Sequence, residues 1–187
     1  MPRPRTTSDE AIFGHALALM QERGSDALTF AALAQRSGLA GSTLVQRFGN
    51  KAALIHAAML HAWDVFELHN DQIAASQPRT PAGAITMLDR LSQGYGDVES
   101  YADQLHVLRE DLRHPDLRAR GHRWVKKLAA RVGDCFAETP GAPADIGMLM
   151  IAQWQGALLL WGFSPGGDLG AAIRVHLERF LKALKLA

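Results

Sequence analysis

Helical periodicity runs along almost the whole of this chain, and strand-like alternation is scarce, so the sequence predicts an all-α protein. Capping and breaking residues cut the pattern into nine helices. Ser8 precedes Asp9 and Glu10, a cap followed by acidic residues where the helix dipole favours them. The helix they open would bury Ile12, Phe13, Ala16, Leu17 and Met20 and stop at Gly24. Thr29 caps a short helix over 30–37 ended by Gly38, and a third helix spans about 42–48. Asn50 opens a fourth that runs to about Ala75, with Ile55, Met59, Ala62, Phe66 and His69 on one stripe and Trp63 beside it. Its length suits a connector. Thr80-Pro81 is a cap followed by a first-position proline. Further helices follow at about 82–94, 98–113, 116–138, 144–163 and 168–185, separated by Gly94/Gly96, Pro115, Pro140-Gly141-Ala142-Pro143 and Pro165-Gly166-Gly167.

The second and third helices, FAALAQRSGLAGSTLVQRF over Phe30–Phe48, form the most informative stretch. Leu33 and Ala34 fall on the inner face of one helix, and Leu44 and Phe48 on that of the next. Ala34 is small where two helices cross closely, and Gly38 can take the left-handed geometry of a three- to four-residue turn. Leu39, Leu44 and Phe48 would set the second helix against Phe13 and Leu17. The outer side is left with Gly41, Ser42, Thr43, Gln46 and Arg47, which include groups able to reach base edges and phosphates. Any compact helical corner can place Ala and Gly in this way, so the geometry alone does not separate DNA binding from ordinary packing.

Residues 8–60 as a whole resemble the N-terminal domain of the TetR family of regulators. QERGSDALTF is similar to that family's ERG-x-x-x-x-T/S pattern, and ALAQRSGLAGSTLVQRFGNKAAL to its A-x-x-A-G-V-S-x-x-x-L-Y-x-x-F-x-x-K-x-x-L run, at Ala34, Gly38, Leu44, Phe48, Lys51 and Leu54. Two positions depart: Val45 stands where the family usually has a tyrosine whose hydroxyl meets a phosphate, and Gly41 opens the recognition helix. The resemblance implies a three-helix helix-turn-helix domain over residues 1–50. The long fourth helix would join it to a helical ligand-binding and dimerisation domain over 51–187. On this reading Thr43, Gln46 and Arg47 read bases, and Ser42 and Lys51 touch phosphates with Thr29 joining them. A homodimer would then grip a palindromic operator until a small effector releases it. Most members repress transcription and some activate, so repression is the expected sign. A helical small-molecule carrier that kept the fold without specific DNA binding is the alternative, motivated by Val45.

Beyond the motif, the four tryptophans and the methionines suggest either ordinary core or a mainly apolar cavity lined by Met59, Trp63, Met87, Leu91, Trp124 and Trp154. The last two helices predict a four-helix dimer interface through Trp154, Leu158, Trp161, Ile173, Leu177 and Phe180. Ile146–Phe163 holds only Gln153 and Gln155 as clearly polar side chains. It reads as a doubly buried soluble helix rather than a membrane span, because no basic cluster flanks it.

A net charge of +1 cannot by itself attract nucleic acid, and residues 1–55 are only mildly basic, with six basic side chains, Arg3 and Arg5 among them, against four acidic ones. The single Cys135 excludes an intrachain disulfide framework, which, with the polar start of the chain, points to the cytoplasm. His56, His61 and His69 lack metal-ligand spacing, and neither a nucleophile elbow nor a phosphate loop is present, so no metal, cofactor or enzymatic activity is expected. Glu110, Asp111 and His114 read as caps and surface pairs. The basic run Arg118, Arg120, Arg123, Lys126, Lys127 and Arg131 reads as a solvated helix face.

Overall fold

A computed structural model describes residues 7–164 and 166–186; Arg3, Arg5 and Pro165 lie outside the described residues. Among these residues there are nine α-helices and no strand: α1 (Asp9–Arg23), α2 (Phe30–Ser37), α3 (Gly41–Phe48), α4 (Lys51–Ala75), α5 (Pro81–Ser92), α6 (Val98–Arg113), α7 (Pro115–Asp134), α8 (Ile146–Phe163) and α9 (Leu169–Ala183). The starts follow local chemistry. Ser8, Thr29 and Thr80 each accept a hydrogen bond from the backbone N–H three residues on, as does Asn50 from Ala53. Three ends differ from expectation, α9 stopping at Ala183 rather than 185. α5 stops at Ser92 and gives way to a 3-10 turn over Gln93–Tyr95. α7 stops at Asp134 rather than 138, because tightened bonds from Cys135 to Val132 and from Phe136 to Gly133 turn both side chains inward, each 3% exposed.

The chain forms two compact units. The first comprises the described residues up to Phe66 together with Asp103–Arg118. Its core is Ile12, Ala16, Met20, Leu28, Leu33, Leu44, Leu54, Ala58, Met59 and, from the start of α7, Leu117. On α4, Ile55 and Met59 are buried as the stripe predicts. Phe66 and His69 are exposed, and the buried residues further along are Asn70 and Ile73.

The second unit comprises Glu67–Ala102 and the described residues from Ala119 onward. Here α9 packs on α5 and α8 around Leu88, Met150, Trp154, Leu158, Ile173 and Leu177. The Trp154 indole N–H donates to Ser92 Oγ at 2.7 Å, so the largest buried side chain leaves no polar atom unsatisfied. α7 and α8 touch backbone to backbone, since a Cβ on Gly147 would lie 1.9 Å from the Ala129 carbonyl oxygen. α8 is long and apolar enough to cross a membrane, but 44% of it is buried inside this unit, where it supplies the core.

The basic run on α7 is not simply a solvated face. Arg120 is bidentate on Glu67 (3.1 and 3.2 Å), and Lys127 and Arg131 both pair with Asp71 (2.7 and 2.9 Å), which holds that carboxyl below the usual range chiefly through the Lys127 hydrogen bond. Glu67 and Asp71 sit one turn apart on α4, so the charges stitch α4 to α7 within the unit. Glu110 and Asp111 are likewise not surface pairs. Glu110 is 4% exposed and accepts from Ser25 Oγ at 2.8 Å, and Asp111 accepts from the Trp63 indole N–H at 2.8 Å.

Candidate DNA-binding surface

α2 and α3 meet at Gly38, whose φ of 72° is the left-handed geometry that a residue without Cβ adopts freely. α3 has no side-chain cap at Ala40, so its placement depends on packing. Leu44 is fully buried, and the Phe48 ring lies 5.6 Å from that of Phe13. With that side locked inward, Ser42, Val45, Gln46 and Arg47 are exposed and Thr43 is half-buried.

The six side chains predicted to meet DNA therefore divide. Ser42, Thr43 and Gln46 are together on α3. Thr29 is exposed, but its hydroxyl oxygen accepts from Ala32 N at 3.0 Å as the α2 cap. Lys51 donates to the Asp26 carbonyl at 3.1 Å, in the turn that leads into Thr29, which brings its ammonium to the same end of α2. Arg47 already has partners: it forms an ion pair with Asp9, donates to the Thr7 carbonyl at 2.9 Å and lies 5.8 Å over the Phe48 ring. Arg36, nearby in sequence, is held by Glu22 at 2.7 Å. The hydrogen bond from Arg36 keeps the Glu22 carboxyl below its ordinary range.

The residues named for effector and dimer contacts also separate. Met59 and Trp63 belong to the first unit's core cluster, and Met87, Leu91, Trp124 and Trp154 to the second's. An open cleft of about 530 Å³ is lined instead by the end of α7 and the start of α8, including Ala129, Gly133, Phe136 and Ile146. Of the six interface residues, Trp154, Leu158, Trp161, Ile173 and Leu177 face the core of their own chain, and Phe180 is half-buried. The apolar side chains that the same helices turn outward are Met148, Leu159, Leu160, Phe163 and Val175. Among the described residues no group of three or more His, Cys, Asp or Glu side chains is arranged to hold a metal ion.

Two helices joined by a left-handed glycine turn, the second presenting a hydrogen-bonding side over a locked apolar one, make up a helix-turn-helix, and the first unit is of that class. Residues 12–58 match the family model described as bacterial regulatory proteins, tetR family. In its N-terminal helices the chain matches the TetR family in sequence, and over nearly its whole length it shares the fold of TetR-family regulators. A transcriptional regulator from Rhodococcus sp. Rha1 superposes with a TM-score of 0.73 at 14% identity, covering 95% of this chain and 97% of that one. One from Saccharomonospora viridis, solved in complex with choline, gives 0.74 at 16% identity over 93% and 95%. SmeT, the repressor of the Stenotrophomonas maltophilia multidrug efflux pump SmeDEF, gives 0.67 at 19% identity over 95% and 90%. No curated protein matches the chain in sequence.

Proposed function

We propose that this DNA-binding regulator is a cytoplasmic repressor that grips a palindromic duplex as a homodimer and releases it when a small, mostly apolar effector binds. Residues 1–50 would serve the DNA and 51–187 the effector and the dimer. One observation carries the DNA reading: α3 exposes Ser42 and Gln46 while Leu44 and Phe48 fasten its other side. Gln46 suits a bidentate bond to adenine, worth about 1–3 kcal/mol of discrimination. Ser42, Lys51 and Thr29 suit phosphates, which position without selecting. Arg47 can reach a base only by leaving Asp9 and the Thr7 carbonyl, so it acts on affinity more than on sequence.

For the effector, support comes from relatives of the same fold, one crystallised with choline and one repressing a multidrug pump. In this chain Asn70 is 6% exposed with neither amide atom hydrogen-bonded. A buried group left in that state costs about 1–3 kcal/mol. An effector that brings one polar group to Asn70 would relieve that cost, with Met87, Leu91, Trp124 and Trp154 of the same unit offered as its apolar contacts if the core opens to admit it.

Selection from a random duplex library tests the reading. Enrichment of a two-fold-symmetric site, lost in Gln46→Ala, is the expected result. No enrichment of any duplex would move the chain to the carrier alternative. An effector must bind about 5 to 150 times more weakly when the operator is bound, for a coupling of about 1–3 kcal/mol. Equal affinity in both states would remove the regulatory half of the proposal.

A further inference from the structure

We infer that Val45 is a specificity-determining residue, reading the 5-methyl group of a thymine in the major groove. The inference rests on the DNA-binding reading and adds a base contact to it. α3 has three apolar side chains, and two of them, Leu44 and Phe48, are turned into the first unit's core. Val45 is not: it is 46% exposed, belongs to neither core cluster, and shares its side of the helix with Ser42 and Gln46 at i−3 and i+1. A β-branched side chain at a half-exposed helical position loses rotamer freedom for only partial burial, and Val45 packs into neither core cluster, so no core contact accounts for valine at this place.

The neighbourhood of Val45 is also bare. Gly41 lies one turn before it on the same flank, and a Cβ built at Gly41 would meet nothing within 4 Å. Arg47, the one charged side chain on α3, is drawn away to Asp9 and Thr7. A base edge can therefore approach the two valine methyl groups without displacing a long side chain.

Of the four bases, only thymine presents a methyl group in the major groove; the other edges are dominated by donors and acceptors, which an apolar side chain would strip of water and leave unpaired. A tyrosine at this position could donate to a phosphate, and valine has no donor. The chemistry available to Val45 is thus burial of a methyl against methyls, which rejects guanine, cytosine and adenine edges by what they would lose.

The experiment starts from the duplex that the library selection enriches and replaces each thymine singly by deoxyuridine, which deletes only the methyl. Wild-type protein should lose about fourfold in affinity at one thymine per half-site, the factor that burying one methyl group gives at room temperature. Val45→Ala should bind the thymine and deoxyuridine duplexes equally. Its fold, checked by circular dichroism and thermal melting, should hold, since the site is exposed and alanine is the better helix former. The inference is overturned if a specific duplex is bound and every thymine can be replaced without loss, or if the same loss persists in Val45→Ala. A wild-type chain that enriches no duplex at all overturns the DNA-binding reading itself, and this inference with it.

Discussion

Ser25, in the turn between α1 and α2, donates its hydroxyl hydrogen to the carboxylate of Glu110 in α6 at 2.8 Å, across 85 residues of sequence, and both side chains are buried. Arg109, Arg113 and His114 lie 3.6–3.8 Å from the same carboxylate, beyond good hydrogen-bond distance. The hydroxyl is thus its one close donor among these groups. Ser25→Ala should lower stability by about 1–3 kcal/mol, because a buried acceptor is left short of a partner. Urea denaturation with an unchanged slope would record it. A loss below about 0.5 kcal/mol would mean that Arg109, Arg113 and His114 satisfy Glu110 without the serine.

Asp9 and Arg47 make a second such pairing, between the start of α1 and the recognition helix. Both side chains are partly exposed, so the pair adds little stability. Its consequence is for binding, since the carboxylate competes with DNA for the guanidinium. Asp9→Asn should strengthen binding to specific and scrambled duplexes by the same factor and steepen the salt dependence by about one released counterion. Glu10→Gln, on the same exposed turn, controls for the simple loss of a negative charge. Equal gains in the two variants would show that Asp9 does not restrain Arg47.

Burial raises the Asp111 carboxyl above its ordinary value, the Glu110 charge adds to this, and the Trp63 indole bond opposes both. With the folded value above the unfolded one, the folded state holds the proton more tightly. Asp111 therefore costs stability as pH rises through that window, and the cost is fully present above the folded value. Asp111→Asn keeps an acceptor for Trp63 and removes the charge. It should match wild type in acid and exceed it in unfolding midpoint at neutral pH. A variant less stable at neutral pH would mean that the charged form is the one the Trp63 bond requires.

The elements were legible in the sequence where their causes are local. Ser8, Thr29, Asn50 and Thr80 cap what they were expected to cap, because each bond closes within three residues. The outer side of α3 was legible because Leu44 and Phe48 leave it one polar flank. Arg47 was legible as exposed but not as engaged, since Asp9 lies 38 residues away. Glu110 was misread as a surface group for the same reason, its partner being 85 residues away. α8 posed a different difficulty. A helix apolar all round has no period from which to tell its inward side, so Trp154, Leu158 and Trp161 could not be separated from Leu159, Leu160 and Phe163.

That separation reshapes the expected dimer interface. Met148, Leu159, Leu160 and Phe163 stand outward on α8, with Val175 on α9, and Phe163 is 80% exposed. In the proposed homodimer these exposed apolar side chains are the ones that a two-fold pairing of like with like would cover. Leu160→Glu and Phe163→Lys should each give a folded monomer, since 60% and 80% of those residues already face solvent in the single chain. Leu158→Glu should instead unfold the second unit, because Leu158 is fully buried and a charge there has no water and no partner. Light scattering gives the mass and circular dichroism the fold. Folded dimers from both Leu160→Glu and Phe163→Lys would place the interface elsewhere. A folded monomer from Leu158→Glu would return it to the residues that face the core.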